Sequence, residues 1–385
     1  MSLDAFRGTI MILMASAGLG ASQIAEHFPD SPAWQFFGRQ CQHATWAGCT
    51  FWDLIQPAFM FMVGVALPWS LASRQARGQS FSGLFAHAVW RGAILVLLAV
   101  FLSSAWGQQT NWVYTNVLAQ IGLGYPLLFL IAFAQPRTQW ITAALILIAY
   151  WAVFALHPLP TPATDIEWQA VGVPATWPFL EGFSAHWEKN TNFAATFDIW
   201  FLNLFPRAEE FRFNRGGYQT LNFIPSLVTM MFGLFAGRLL KSDLSLASKV
   251  RNLVLAGLVA ITIGQLIAWA GICPIVKRIW TPSWTLFSVG WVLIMLAIFV
   301  ALVDGLELRR SVLPLVVVGL NPITMYCLWQ LSGGFIRKQL RTHFGQDVFH
   351  SLGDAYVPML ERGSVLIILW LITFWMYRRK LFIRI

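Results

Sequence analysis

Continuous apolar stretches of about 20 residues constrain this chain most, because that length crosses the roughly 30 Å hydrocarbon core of a bilayer as an α-helix. Ten such stretches occur along the 385 residues, at 5–22, 52–72, 84–104, 116–134, 139–157, 219–240, 252–272, 283–303, 312–332 and 357–377. Their apolar residues do not alternate with period two, which argues against a β-barrel. The pattern predicts an all-α polytopic integral membrane protein with about ten transmembrane helices.

The composition excludes several other classes of protein. Charged residues make up 11% of the chain and hydrophobic residues 57%, whereas soluble proteins carry about 25% charged residues. A soluble globular enzyme, a disordered chain and a coiled coil are therefore excluded. The net charge of +9 does not indicate a nucleic-acid partner, because no basic helix or basic-aromatic stripe lies on a soluble segment. We expect the lipid bilayer to be the environment with which this chain interacts.

The basic residues predict the orientation of the chain. If the N-terminus is inside, 15 of the 26 Lys and Arg residues fall on the inner side, mostly in short loops, as the positive-inside rule requires. We therefore expect an N-in/C-in arrangement, in which 1–385 form a single transmembrane domain with one long outer-side insert at about 158–218. The lack of an N-x-S/T sequon and of an appended luminal domain favours a bacterial inner (plasma) membrane.

Ionisable side chains at membrane depth are functional candidates, because each costs about 2.5–3.5 kcal/mol on insertion scales. The charged or titratable set is Asp4, Arg7, His43, Asp53, His87 and Arg91. Arg7 and Arg91 lie near the inner face, where either can bind a cytoplasmic phosphate. The alternatives are an ion pair of Arg7 with Asp4 and a headgroup contact for Arg91.

The densest polar cluster is 42–54, which runs from an outer loop into the second apolar stretch. A histidine here can act as a base or a nucleophile, and Asp53, ten residues after His43, can orient it. A lone loop histidine is nevertheless more often structural. No HxxxH or HExxH pattern accompanies it, so we expect no metal, and the residues alone leave enzyme and transporter open.

At this cluster the chain resembles a known family. Residues 2–8 resemble the LDxFRG opening of the heparan-α-glucosaminide N-acetyltransferase-like proteins, within the wider transmembrane acyltransferases. Residues 43–64 agree at each fixed position with that family's HxxWxGxTxxDLxxPxFxFxxG signature. Residues 117–125, 274–281 and 319–322 resemble its VLQRIxxxY, PINKxLWT and GxNP segments.

The resemblance implies transfer of an acetyl group from cytosolic acetyl-CoA to a sugar amine or hydroxyl on the outer side. His43 then stands at the position of the catalytic histidine, as a base or as an acyl-accepting nucleophile. Asp53 is a candidate to orient it, and so is Ser16, which lies where the family often has an Asn. The candidate donor-binding residues are Arg7, Arg91, Gln120, Arg238, Lys241 and Asn321. Asn321 is also a candidate oxyanion donor.

Three departures suggest a divergent, bacterial-type member, and the first is Ser16 in place of the Asn. The arginine of VLQR is Gln120 and the asparagine of PINK is Val276. A transporter or flippase of a sugar or lipid-linked sugar, and a catalytically inactive relative, therefore stay as alternatives. The glycine pairs Gly122–Gly124 and Gly233–Gly237 can pack helices within or between chains, which leaves a homodimer open.

Overall fold

The structure is a computed structural model that describes residues 1–159 and 167–383; residues 160–166 of the insert lie outside this range. The described chain is built from fourteen α-helices: α1 (Ser2–Ser16), α2 (Ala21–His27), α3 (Pro32–Gln40), α4 (Ile55–Gln75), α5 (Phe81–Ser104), α6 (Val117–Ala132), α7 (Pro136–Ala155), α8 (Phe193–Leu202), α9 (Phe223–Lys241), α10 (Leu246–Trp269), α11 (Pro282–Phe299), α12 (Leu313–Gly319), α13 (Pro322–Phe344) and α14 (Val357–Arg378).

The all-α polytopic class predicted from the sequence is confirmed. With their flanking turns, eight of the described helices are long and apolar enough to cross a membrane, and the α12–α13 pair makes nine if it is counted as one bent span. The remaining predicted stretch, 116–134, is not among these candidate spans. It forms α6, which has 16 residues and is about 24 Å long, shorter than the usual hydrocarbon core.

The predicted straight span at 312–332 differs most from the structure. The chain bends there by 80° between α12 and α13. Asn321, at the bend, has φ −130° and ψ 51°, outside the helical region, because the ring of the following Pro322 disfavours helical geometry in the residue before it. The long helix therefore begins at Pro322 and continues to Phe344.

Glycines allow the closest helix pairs to form within the chain. A Cβ on Gly233 of α9 would lie 2.0 Å from the carbonyl oxygen of Phe61 on α4, a distance that only glycine allows. Gly122 of α6 also packs closely against α5, where a Cβ would lie 2.6 Å from the carbonyl oxygen of Gly92. These glycines thus pack helices inside one chain, which is the first of the two alternatives left open for them.

The described part of the insert folds over the loop that carries His43. Its Trp187 is fully buried in a second hydrophobic core together with Trp46, Phe154 and Val276. The indole Nε1 of Trp46 donates a hydrogen bond to the carbonyl oxygen of Trp187, 3.0 Å away. The insert therefore holds the 42–54 loop in place, three residues from the candidate histidine.

Candidate active site

A capping box places Asp53 at the start of the helical segment that leads into α4. Thr50 caps the turn at 51–54, and its backbone N–H donates to Oδ2 of Asp53 at 3.1 Å. The backbone N–H of Ala44 donates to the same oxygen at 3.0 Å. The Thr50 hydroxyl also lies 3.0 Å from this oxygen, but its one proton is closer to the carbonyl oxygen of Gln42, at 2.5 Å. Two backbone donors on one oxygen stabilise the ionised carboxylate, whose side chain is only 2% exposed.

The second carboxylate oxygen of Asp53 meets His43. Nδ1 of His43 lies 2.7 Å from Oδ1 of Asp53, and the His43 side chain is 38% exposed. An ionised carboxylate only accepts hydrogen bonds, so Nδ1 carries the ring proton and donates it. In the neutral ring the other nitrogen, Nε2, then has the lone pair that a general base requires.

Lys277 joins this pair from the turn between α10 and α11. Its Nζ lies 3.1 Å from Nδ1 of His43 and 3.4 Å from Oδ1 of Asp53, and its side chain is 5% exposed. Burial lowers the pKa of Lys277 to about 8, against the opposing effect of Asp53. The turn is docked by an antiparallel bridge between Ala47 and Val276.

Sequence reasoning missed Lys277 as a site residue. The signal was available, because this lysine stands in the 274–281 segment that resembles PINKxLWT. Its partners lie 234 and 224 positions earlier in the chain, so no local spacing connects them.

A cavity of about 500 Å³ opens beside this cluster. We call this side of the bundle the histidine end; α1 finishes and α4 and α6 begin there. Besides His43 and Lys277, the lining is mainly aromatic rings and neutral amides: Trp52, Gln56, Asn116, Tyr218, Tyr326, Trp329 and Gln330. Such a lining offers flat apolar faces together with uncharged hydrogen-bonding groups. Within the described ranges, no three His, Cys, Asp or Glu side chains are grouped so as to hold a metal ion.

A second cavity, of about 620 Å³, lies at the opposite side of the bundle, where α1 and α13 begin and α4 finishes. We call this side the basic end, because the titratable side chains lining the cavity are Arg7, Arg74, Arg77, His87 and Arg91, with Asp4 as the acidic one. Arg7 pairs with Asp4 at 3.5 Å. The remaining arginines leave this cavity with an excess of positive charge.

A third cavity, of about 140 Å³, lies along the same helix between these two. Six of the α4 residues that line the three cavities recur every three or four positions: Gln56, Phe59, Val63, Ala66, Ser70 and Arg74. This spacing puts them on one helix face. From Gln56 to Arg74 that face is about 27 Å long, and its middle part is apolar.

The predicted donor-binding residues separate into groups. Arg7 and Arg91 are brought together, since both line the basic cavity and the middle cavity. Arg238 and Lys241 line a different cavity, of about 450 Å³, among α4, α6 and α9. There the guanidinium of Arg238 donates to Oε1 of Gln139 at 2.6 Å and to the carbonyl oxygen of Ala132 at 2.7 Å.

The other three predicted residues bond mainly to backbone groups. Gln120 is fully buried, and its Nε2 donates to the carbonyl oxygens of Tyr114 and Thr220 at 2.8 and 3.2 Å. Asn321 holds the backbone of Leu381 and Ile383 beside the basic cavity, and so lies at the opposite end from His43. Ser16 donates to the carbonyl oxygen of Leu13 at 2.7 Å and accepts from the backbone N–H of Gly18, at the end of α1.

Comparison with known proteins gives distant similarity. No family model matches the chain. Over its whole length it is 22% identical to the heparan-alpha-glucosaminide N-acetyltransferases of Mus musculus and of Homo sapiens, across 423 and 430 residues. The chain is distantly related to these acetyltransferases. It spans 60% and 59% of the lengths of these two relatives.

Proposed function

We propose that this chain is a transmembrane acetyltransferase that binds acetyl-CoA at the basic end and acetylates a saccharide at the histidine end. One observation carries the proposal. A single face of α4 lines a cationic cavity, a mainly apolar middle cavity that Arg7 and Arg91 border, and the cavity at the His43–Asp53 pair. The distant relationship to two N-acetyltransferases supports the reaction class.

The donor fits the basic end by charge. The nucleotide of CoA carries several phosphate charges, which hydrocarbon excludes and arginine binds in a bidentate manner. We assign the phosphates to Arg7, Arg74 and Arg91, and the uncharged pantetheine arm to the middle cavity. The basic end then faces the cytosol, which gives the N-in/C-in orientation, and we propose a bacterial inner membrane. Arg238 and Lys241 contribute only if the nucleotide also reaches their separate cavity.

The chemistry follows from the free Nε2 of His43. As a base, Nε2 takes the proton of the acceptor's hydroxyl or amine while that oxygen or nitrogen attacks the thioester carbonyl. The carbon–sulfur bond then breaks, and the CoA thiolate takes the proton back from the imidazolium. Asp53 holds the ring and stabilises the imidazolium; general-base catalysis of this kind is worth about 10²–10⁴ in rate. In the alternative route, Nε2 attacks the thioester carbonyl and the carbon–sulfur bond breaks, which gives an acetyl-histidine and the CoA thiolate. The acceptor then attacks the acetyl carbon, the bond to Nε2 breaks, and the thiolate takes up the acceptor's proton.

The acceptor fits the histidine end by shape and polarity. Sugar rings present apolar faces and many hydroxyls, which match the rings of Trp52 and Trp329 and the amides of Gln56 and Gln330 in the cavity lining. The insert shapes this end through the contact of Trp187 with Trp46. A saccharide amine or hydroxyl that reaches His43 is therefore the proposed acceptor.

The test uses the purified full chain in nanodiscs with acetyl-CoA and a panel of amino sugars and neutral sugars. We expect acetyl-CoA to raise the melting temperature of the native chain and of His43→Gln alike, since His43 is remote from the basic cavity. Release of CoA thiol is expected only with the native chain and a sugar. If millimolar acetyl-CoA stabilises neither protein, the assignment as an acetyltransferase fails and a transporter or an inactive relative takes its place.

A further inference from the structure

Lys277 is a buried cation that the chemistry above does not use. Its ammonium group only donates hydrogen bonds, and Nδ1 of His43 already carries the proton that Asp53 accepts. Its hydrogen bond therefore goes to Oδ1 of Asp53, 3.4 Å away. The carboxylate then has four donors, namely His43 and Lys277 on Oδ1 and two backbone N–H groups on Oδ2. Lys277 is thus the counter-ion of Asp53.

Six residues around the His43–Asp53 pair, Asp53 included, carry titratable groups that can add charge to the site. They are Asp53, Lys277, Arg278, Cys49, Tyr218 and Tyr326. Burial raises the pKa of Cys49 to about 12 and also raises the pKa of Tyr218, so these two groups are neutral near pH 7. Nη2 of Arg278 lies 3.4 Å from the carbonyl oxygen of Ala44, next to His43. One carboxylate thus faces two cations, and an imidazolium would add a third.

We propose that Lys277 is a positioning residue that keeps His43 neutral, with Nε2 unprotonated, by neutralising Asp53. Without Lys277, the carboxylate would attract a proton onto the ring, and His43 would stay charged to higher pH. A histidine that carries two protons can neither take a proton from an acceptor nor attack a thioester. The inference rests on the proposed function for its effect on rate, but the protonation state of His43 can be measured without any turnover.

The test measures modification of His43 by diethyl pyrocarbonate, which acylates only neutral imidazole, in the full chain in nanodiscs between pH 5 and 9. Mass spectrometry of the peptide that contains His43 gives the pH of half-maximal modification. For Lys277→Met we expect this pH to rise by about one unit, and for Lys277→Arg to stay at the native value. For Asp53→Asn we expect it to fall, which gives a second variant if the methionine variant does not fold.

The same variants separate a positioning role from a structural one. In the thiol-release assay, the acid limb of the pH profile of kcat/KM should move upward in Lys277→Met by the same amount, with the rate recovering at alkaline pH. A rate lost equally at every pH, with no shift in His43 modification, overturns the inference. If the shifts in modification occur but no variant releases CoA thiol, the proposed function fails while the role of Lys277 stands.

Discussion

A substitution that fills the middle cavity tests directly whether the pantetheine arm of acetyl-CoA passes through it. The cavity has a volume of about 140 Å³, and an engineered apolar cavity of about 150 Å³ takes up one benzene molecule. Ala66 lies on the α4 face that lines this cavity and is partly exposed. The ring of Ala66→Phe therefore has about the volume of the whole cavity, so it closes the middle of the route.

The expected result is a loss of transfer without a loss of folding. The ring enters existing apolar space and removes no hydrogen bond, so the free energy of unfolding should change by less than the roughly 1–3 kcal/mol that overpacking a filled core costs. Acetyl-CoA-dependent thiol release should fall about 10²-fold or more, since the thioester no longer reaches His43. Binding of 3′-phospho-ADP at the basic end should be unchanged.

The matched control is Ala66→Ser, which changes the polarity of the same position and leaves the space open. It should keep most of the native rate. Calorimetry with 3′-phospho-ADP, together with the thiol-release assay on both variants, completes the comparison. A folded Ala66→Phe protein that transfers acetyl groups at the native rate would refute the assignment of the pantetheine arm to this cavity.

Three further predictions follow from the described contacts. Asp53→Asn should lower kcat about 10²–10⁴-fold and destabilise the fold by about 3–5 kcal/mol, because it leaves a buried lysine unpaired; an unchanged denaturation midpoint would contradict the ion pair. Arg91→Gln should weaken acetyl-CoA binding about tenfold or more, whereas Lys241→Gln should not, and calorimetry that shows equal losses would place the nucleotide in both cavities. Burial raises the pKa of Asp198 in the insert to about 7, so the contribution of this carboxyl group to stability falls as the pH rises from about 4 through 7. Asp198→Asn cannot ionise, and its melting temperature should fall less than the native one between pH 5 and pH 8.

The local part of the site could be predicted from the sequence. His43 and Asp53 are ten residues apart, and the capping box at Thr50 turns the chain so that their side chains meet at 2.7 Å. Short-range hydrogen bonds of this kind depend on neighbours along the chain, so they can be anticipated from a motif. Arg7 and Arg91 were likewise anticipated to lie near one face of the membrane, and the structure brings both to the basic cavity.

The set of predicted donor-binding residues contains members that the structure places in different cavities. Arg238 and Lys241 share with Arg7 the property of a basic residue near the inner end of an apolar helix, and sequence cannot distinguish them. Which side of α4 each one reaches depends on the rotation of α9 against α4, which the glycine contact at Phe61 sets. Asn321 shows the same limit, because its amide is used by the backbone of the C-terminal residues.

The sequence by itself determined that this chain is a bundle of membrane helices, because runs of about 20 apolar residues are stable in a bilayer only when each backbone group bonds within its own helix. It also indicated Asp53 as a candidate partner of His43, because the two residues are only ten positions apart. The contact of Lys277 with His43, which lies 234 residues earlier, depends on the tertiary structure. So does the α4 face that runs from the cationic cavity to the cavity at His43. Contacts between distant segments depend on how helices rotate and pack, and that packing is a property of the whole bundle.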